Sequence, residues 1–150
     1  MQDPSPKTPR PALPRLEDFQ IRVTDNVRYG DMDRQGHVNN AVYPTYFETG
    51  RVERIYDPDY GFLVEGCTTV IARIEIDFLK ELRWPGTIEI GTAIAEIRRS
   101  SYVFSQAIFS KGECAARARS TMVLIDLATR KARPLPDDLI QRLNRILLKS

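Results

Sequence analysis

A chain of 150 residues, 42% hydrophobic and 28% charged, fits one globular domain that buries roughly 70% of the surface its unfolded form exposes. Its formal net charge of +2 is too small to argue for a nucleic-acid or anionic-membrane partner, and no apolar run approaches the roughly 20 residues that a membrane helix needs. Cys67 and Cys114 stand in no metal-ligand spacing and read as reduced thiols of a cytoplasmic protein.

The opening "MQDPSPKTPRPALPRLED" has no apolar core of a secretory signal, and its prolines can neither donate backbone hydrogen bonds nor hold a helix. Residues 1–16 are therefore expected to form a disordered or extended arm ahead of a single domain over 17–150. From Ile21 the chain alternates: Ile21, Val23, Val27 and Tyr29 on one side, Arg22, Thr24, Asn26 and Arg28 on the other, interrupted by Asp25. Period two with β-branched residues predicts a half-buried strand. "AVYPTYFETGRVERIY" then changes period, with Val42, Tyr46 and Gly50 on one stripe and Tyr43, Phe47 and Arg54 beside it, as in a helix with an aromatic inner face. Asn39 and Asn40 are suitable N-caps, and Pro44 fits only a first turn, so the helix should start near residue 40.

The remainder reads as four strands in hairpin succession. "CTTVIARIEIDFLK" sets Val70, Ala72, Ile74, Ile76 and Phe78 against Ile71, Arg73, Glu75 and Asp77. "IEIGTAIAEI", "YVFSQAIF" and "CAARARSTMVLIDL" follow, separated by "RRSS" and "SKGE" turns, and "DDLIQRLNRILLKS" is a short amphipathic helix with acids at its positive end. One strand, one long helix and four strands predict an α+β domain whose helix lies across an antiparallel sheet.

"RYGDMDRQGHVNN", residues 28–40, joins the first strand to the helix and holds two acids and the only histidine. As a calcium loop it fails at its twelfth place, where Val42 stands instead of a bidentate glutamate. One histidine leaves too few ligands for a transition metal, so no metal is expected, and no GxSxG elbow accompanies it. What remains is a carboxylate ahead of a helix start. Unpaired N–H groups there can stabilise an oxyanion while the carboxylate attacks a carbonyl or activates water, which suits hydrolysis of an activated acyl group. A plain turn capped by Asp31 and Asp33 satisfies the same residues.

The run "VRYGDMDRQGHVNNAVYPTYFETGR" resembles the hotdog-fold acyl-CoA thioesterases of the 4-hydroxybenzoyl-CoA thioesterase type, and the likeness extends more loosely through "IRRSSYVF" and "RPLP". The resemblance implies a five-stranded antiparallel sheet wrapped around one long central helix. It implies that Asp33 is the catalytic nucleophile or general base and that the Asn40 backbone N–H holds the thioester oxygen. By the same likeness Asn39, His37, Tyr43, Phe47 and Glu48 surround the acyl group, and Arg98, Arg99 and Ser100 meet the phosphates of coenzyme A, which enters as part of the substrate with no separate cofactor. The family works as homodimers or homotetramers with shared sites, so the same is expected here. Pro44 departs from the apolar residue usual at its place. Two rivals stay open: a hotdog hydratase or dehydratase, and a non-catalytic acyl-binding hotdog protein.

Overall fold

The computed structural model describes residues 12–149, so most of the expected N-terminal arm lies outside the described residues. Strand β1 (Ile21–Val27) leads through a turn-rich loop to helix α1 (Tyr43–Ile55), and β2 (Cys67–Phe78), β3 (Gly86–Ile97), β4 (Ser101–Ser110) and β5 (Glu113–Asp126) precede the short α2 (Asp137–Asn144). The strands form one antiparallel sheet in the order β1-β3-β4-β5-β2, so β1 and β2 are its edges. The sheet curls around α1, which is the hotdog arrangement.

Helix and sheet touch closely because Gly50 faces β3: a β-carbon there would lie 2.4 Å from Ile90 Cγ2 and 3.0 Å from Gln106 Nε2. Polar bonds fix the same contact. The Thr92 hydroxyl donates to the Gly50 carbonyl at 3.1 Å, and the Gln106 amide donates to Phe47 O and Thr92 Oγ1, both at 2.9 Å. These two buried side chains use the second lone pairs of the Gly50 and Phe47 carbonyls, so neither is orphaned. Gly50→Ala is expected to destabilise the fold. Forcing a methyl into a packed core costs about 1–3 kcal/mol, against the ~0.5–1 kcal/mol that alanine regains in helix propensity. Urea unfolding measures the difference, and an unchanged midpoint would refute the close packing argued here.

Around α1, Tyr43, Tyr46 and Phe47 pack on Ile88, Ile90, Ile108, Ala116 and Ala118. A second cluster joins Ile55, Phe62, Tyr102, Phe104 and Leu124 to Leu139 and Leu143 of α2, as the amphipathic spacing predicts. On the sheet's outer face Phe19 covers Gly91, where a β-carbon would meet its ring at 2.5 Å.

Two parts of the predicted alternation are overturned. Tyr29 does not continue β1 inward; it enters a 3-10 turn (Tyr29–Asp31) and is 75% exposed. In β2, Ile71 pairs with Met122 and Arg73 with Thr121, leaving Ala72 without a partner as a bulge. Opposite residues of an antiparallel pair share a face, so Ile71 joins Ile74, Ile76 and Phe78 on the helix side, while Val70 falls in with Arg73, Glu75 and Asp77. An unpaired residue resets the parity that simple alternation assumes.

Candidate active site

The loop between β1 and α1 is built by its own side chains. Asp31 Oδ2 accepts from the Arg28 N–H at 2.9 Å and from the Tyr46 hydroxyl at 2.6 Å, and Asp31 O accepts from the Asn39 N–H at 2.9 Å. Asp31 thereby ties both ends of the loop to the buried face of α1. Burial, and then the bond to this carboxylate, push the Tyr46 phenol far above its ordinary pKa, so it stays a donor. Asp33 O accepts from Gly36 and His37 O from the Asp33 N–H, a tight turn in which Gly36 adopts φ +86, the left-handed region glycine enters freely.

The N-cap forms at Asn39, whose Oδ1 accepts from the Ala41 N–H at 2.9 Å while its carbonyl accepts from Val42. A 3-10 turn (Asn40–Val42) starts there and runs into α1, with Pro44 in the first turn. Among the described residues the Asn40 N–H has no acceptor, as expected of the first N–H of a helix.

Asp33, Arg34, Gln35, His37, Asn40 and Tyr43 line one wall of a cavity of about 730 Å³; Phe78, Leu79, Lys80 and Glu81 line the other. Its size suits a small-molecule site. A further bulge sets the second wall: Ala115 is unpaired between Ile108↔Ala116 and Phe109↔Cys114, and its carbonyl accepts from both Leu79 and Lys80, at 2.9 and 3.0 Å. The Val38 N–H donates to Leu82 O at 2.8 Å and binds the two walls together.

The Asp33 carboxylate is three-quarters buried, with 26% of its side chain exposed. Its Oδ1 accepts from the Gln35 N–H at 2.8 Å, and its Oδ2 lies 3.7 Å from His37 Nδ1. His37 Nε2 is 3.7 Å from Glu81 Oε1, so the ring sits between two carboxylates just beyond direct hydrogen-bonding range. Among the described residues Oδ2 therefore accepts no hydrogen bond.

The residues singled out in the sequence are not all brought together. Asp33, His37, Asn40 and Tyr43 share the cavity. Asn39 uses its side chain in the cap, Phe47 lies fully buried in the core, and Glu48 faces outward from α1. Arg98, Arg99 and Ser100 lie at the β3–β4 turn, whereas Asp33 lies near the opposite end of β3; by strand rise that separation is roughly 35–40 Å. There Arg98 already grips Glu96 through two nitrogens at 3.0 and 2.8 Å. No local signal in the sequence places the second wall, residues 78–81, beside Asp33, because the bulge that draws it in depends on pairing between distant strands.

Helix and curled sheet define a hotdog protein, and one cavity at the start of the helix is lined by both Asp33 and Asn40. The chain belongs to the Thioesterase-like superfamily, whose model matches residues 27–143. It is 26% identical to the acyl-CoA thioester hydrolase YbgC of Escherichia coli over 76% of this chain and 88% of that protein. It is 27% identical to the long-chain acyl-CoA thioesterase FadM of Escherichia coli, over 81% and 95% of the two chains. Among solved structures, a thioesterase from Thermus thermophilus complexed with coenzyme A and zinc superposes with TM-score 0.76 at 32% identity, covering 89% of this chain and 98% of that one. A predicted thioesterase from Bacillus stearothermophilus superposes with TM-score 0.77 at 27% identity, covering 87% and 98%. Among the described residues no three His, Cys, Asp or Glu side chains form a metal-binding group, and no helix is long and apolar enough to cross a membrane.

Proposed function

We propose that this chain hydrolyses an acyl-CoA thioester to the free acid and coenzyme A. The observation that supports this reading is one cavity bordered by the partly buried Asp33 carboxylate and by the Asn40 residue whose N–H has no acceptor. The thioester oxygen accepts from the Asn40 N–H. Asp33 Oδ2 takes a proton from water as the water oxygen bonds to the carbonyl carbon. The oxyanion collapses, the carbon–sulfur bond breaks, and the proton held by Asp33 passes to the departing thiolate. His37 and Tyr43 border the acyl group. Free-thiol release from a panel of acyl-CoA esters, from short-chain to long-chain and aromatic, tests the reading. A change in enoyl absorbance without thiol release would favour a hydratase instead, and binding without either would leave an acyl-binding protein.

The site is proposed to be shared between two copies. Among the described residues edge strand β2 has no partner beyond β5, and its helix-side residues Ile71 and Phe78 are 48% and 51% exposed. An unpaired edge bearing exposed apolar side chains on one face suits pairing with a second copy. Arg98, Arg99 and Ser100 would then reach the substrate's phosphates from that copy. Light scattering is expected to give at least twice the 17.2 kDa of one chain. Ile71→Arg with Ile74→Arg is expected to give a monomer with thiol release at least tenfold lower, and an active monomer would refute the shared site. Both thiols, Cys67 and Cys114, are free, in keeping with a reducing compartment such as the cytoplasm.

A further inference from the structure

Resting on the acyl-CoA reading, we infer that the exposed ring pair Tyr29–Trp84 is the seat of the substrate's adenine. The two rings meet edge to face, with centroids 5.2 Å apart and planes at 82°, and are 75% and 46% exposed. It is the one aromatic pair among the described residues in which both rings are exposed. An edge-on contact leaves ring faces uncovered, and two large aromatic groups held open to water on adjoining loops offer a stacking platform that packing alone does not require.

The platform is built from the two loops that frame the cavity. Tyr29 starts the turn that ends at Asp31, and the Trp84 N–H donates to Met32 Sδ at 3.3 Å, next to Asp33. Leu82, two residues before Trp84, receives the Val38 N–H. Cations stand on the same loops: Arg28 beside Tyr29, Arg83 beside Trp84, and Arg34, which makes no ion pair among the described residues, at the cavity. Arg28 pairs with Asp25 at 3.1 Å and more distantly with Asp31 at 4.0 Å, and Arg83 pairs with Glu81 at 3.0 Å; both side chains are more than half exposed, so donors remain for phosphate. Carbonyl carbon, phosphates and adenine would thus lie along one end of one protomer, while the β3–β4 turn of that protomer is a strand length away.

Trp84 is the only tryptophan, so its fluorescence reports the site directly. Adenosine 3′,5′-bisphosphate is expected to quench it saturably, and 4′-phosphopantetheine, which lacks adenine, to leave it unquenched. In turnover, Tyr29→Ala and Trp84→Leu are each expected to lower about tenfold the advantage in kcat/KM of an acyl-CoA over the matching acyl-pantetheine, within the range of one lost stacking contact. Trp84→Phe should retain most of that advantage. The inference is overturned if the ratio stays within twofold in both variants, or if Arg98→Ala with Arg99→Ala removes it while they do not. The two readings fail separately: quenching without thiol release sinks the hydrolase and keeps the adenine seat, and thiol release indifferent to adenine does the reverse.

Discussion

Asp33→Asn is expected to lower kcat for acyl-CoA hydrolysis by 10²–10⁴ (about the contribution of one positioned general base) while leaving the fold as stable as wild type. Asparagine is nearly isosteric, and its amide oxygen can still accept from the Gln35 N–H that Oδ1 holds at 2.8 Å. The turn is otherwise held by backbone bonds among Asp33, Gly36 and His37, which the substitution does not touch. What is lost is the second oxygen, which becomes an amide donor and can take no proton from water. The measurement is thiol release at saturating acyl-CoA beside a thermal melt. A variant that keeps more than a tenth of wild-type kcat would show that the water is activated elsewhere. His37 would then be the first group to test, because its ring lies 3.7 Å from the same carboxylate.

Asn40→Pro is expected to cost 10²–10³ in kcat, the loss seen when one oxyanion donor is removed. Proline deletes the N–H and nothing else that the fold uses, because that N–H has no acceptor within the described residues. It also suits the first position of a helix, and Asn39, with φ −59 and ψ 132, already has the extended backbone that a residue before proline requires. Asn40→Ala is the control, since it keeps the N–H and removes only the side chain. Equal losses in the two variants would assign the role to the amide side chain, and no loss in the proline variant would remove the oxyanion hole from this helix start.

Much of this architecture is legible in the sequence because local signals agree. Period two predicts β1 and β2, turn signals set off β3, β4 and β5, the aromatic period predicts α1, and an asparagine cap with Pro44 sets the helix start to within a few residues. The first wall of the cavity could be read for the same reason: Asp33, His37, Asn40 and Tyr43 lie within one short loop and turn. The second wall could not. Phe78, Leu79, Lys80 and Glu81 reach the site through register, and register depends on partners 35 or more positions away, as Phe78 with Ala116 illustrates. Tyr29 departs from the alternation because Asp31 turns the chain by binding the Arg28 N–H, a contact that a period of two does not encode.

The three residues that drop out of pairing, Ala72 in β2, Ala95 in β3 and Ala115 in β5, are all alanines. Losing one residue from a regular strand ordinarily turns everything beyond it inside out. Here the reverse holds: excising Ala72 would join Ile71 directly to Arg73 with each still pointing as it does now. Such a deletion would spare the greasy and charged sides of the ribbon and flatten only its bend. Ala72 and Ala95 are therefore spare links, unlike Ala115, whose carbonyl holds the cavity's second wall, and shortening the chain at those two is the natural way to change how tightly the sheet embraces its helix without rewriting what either side displays.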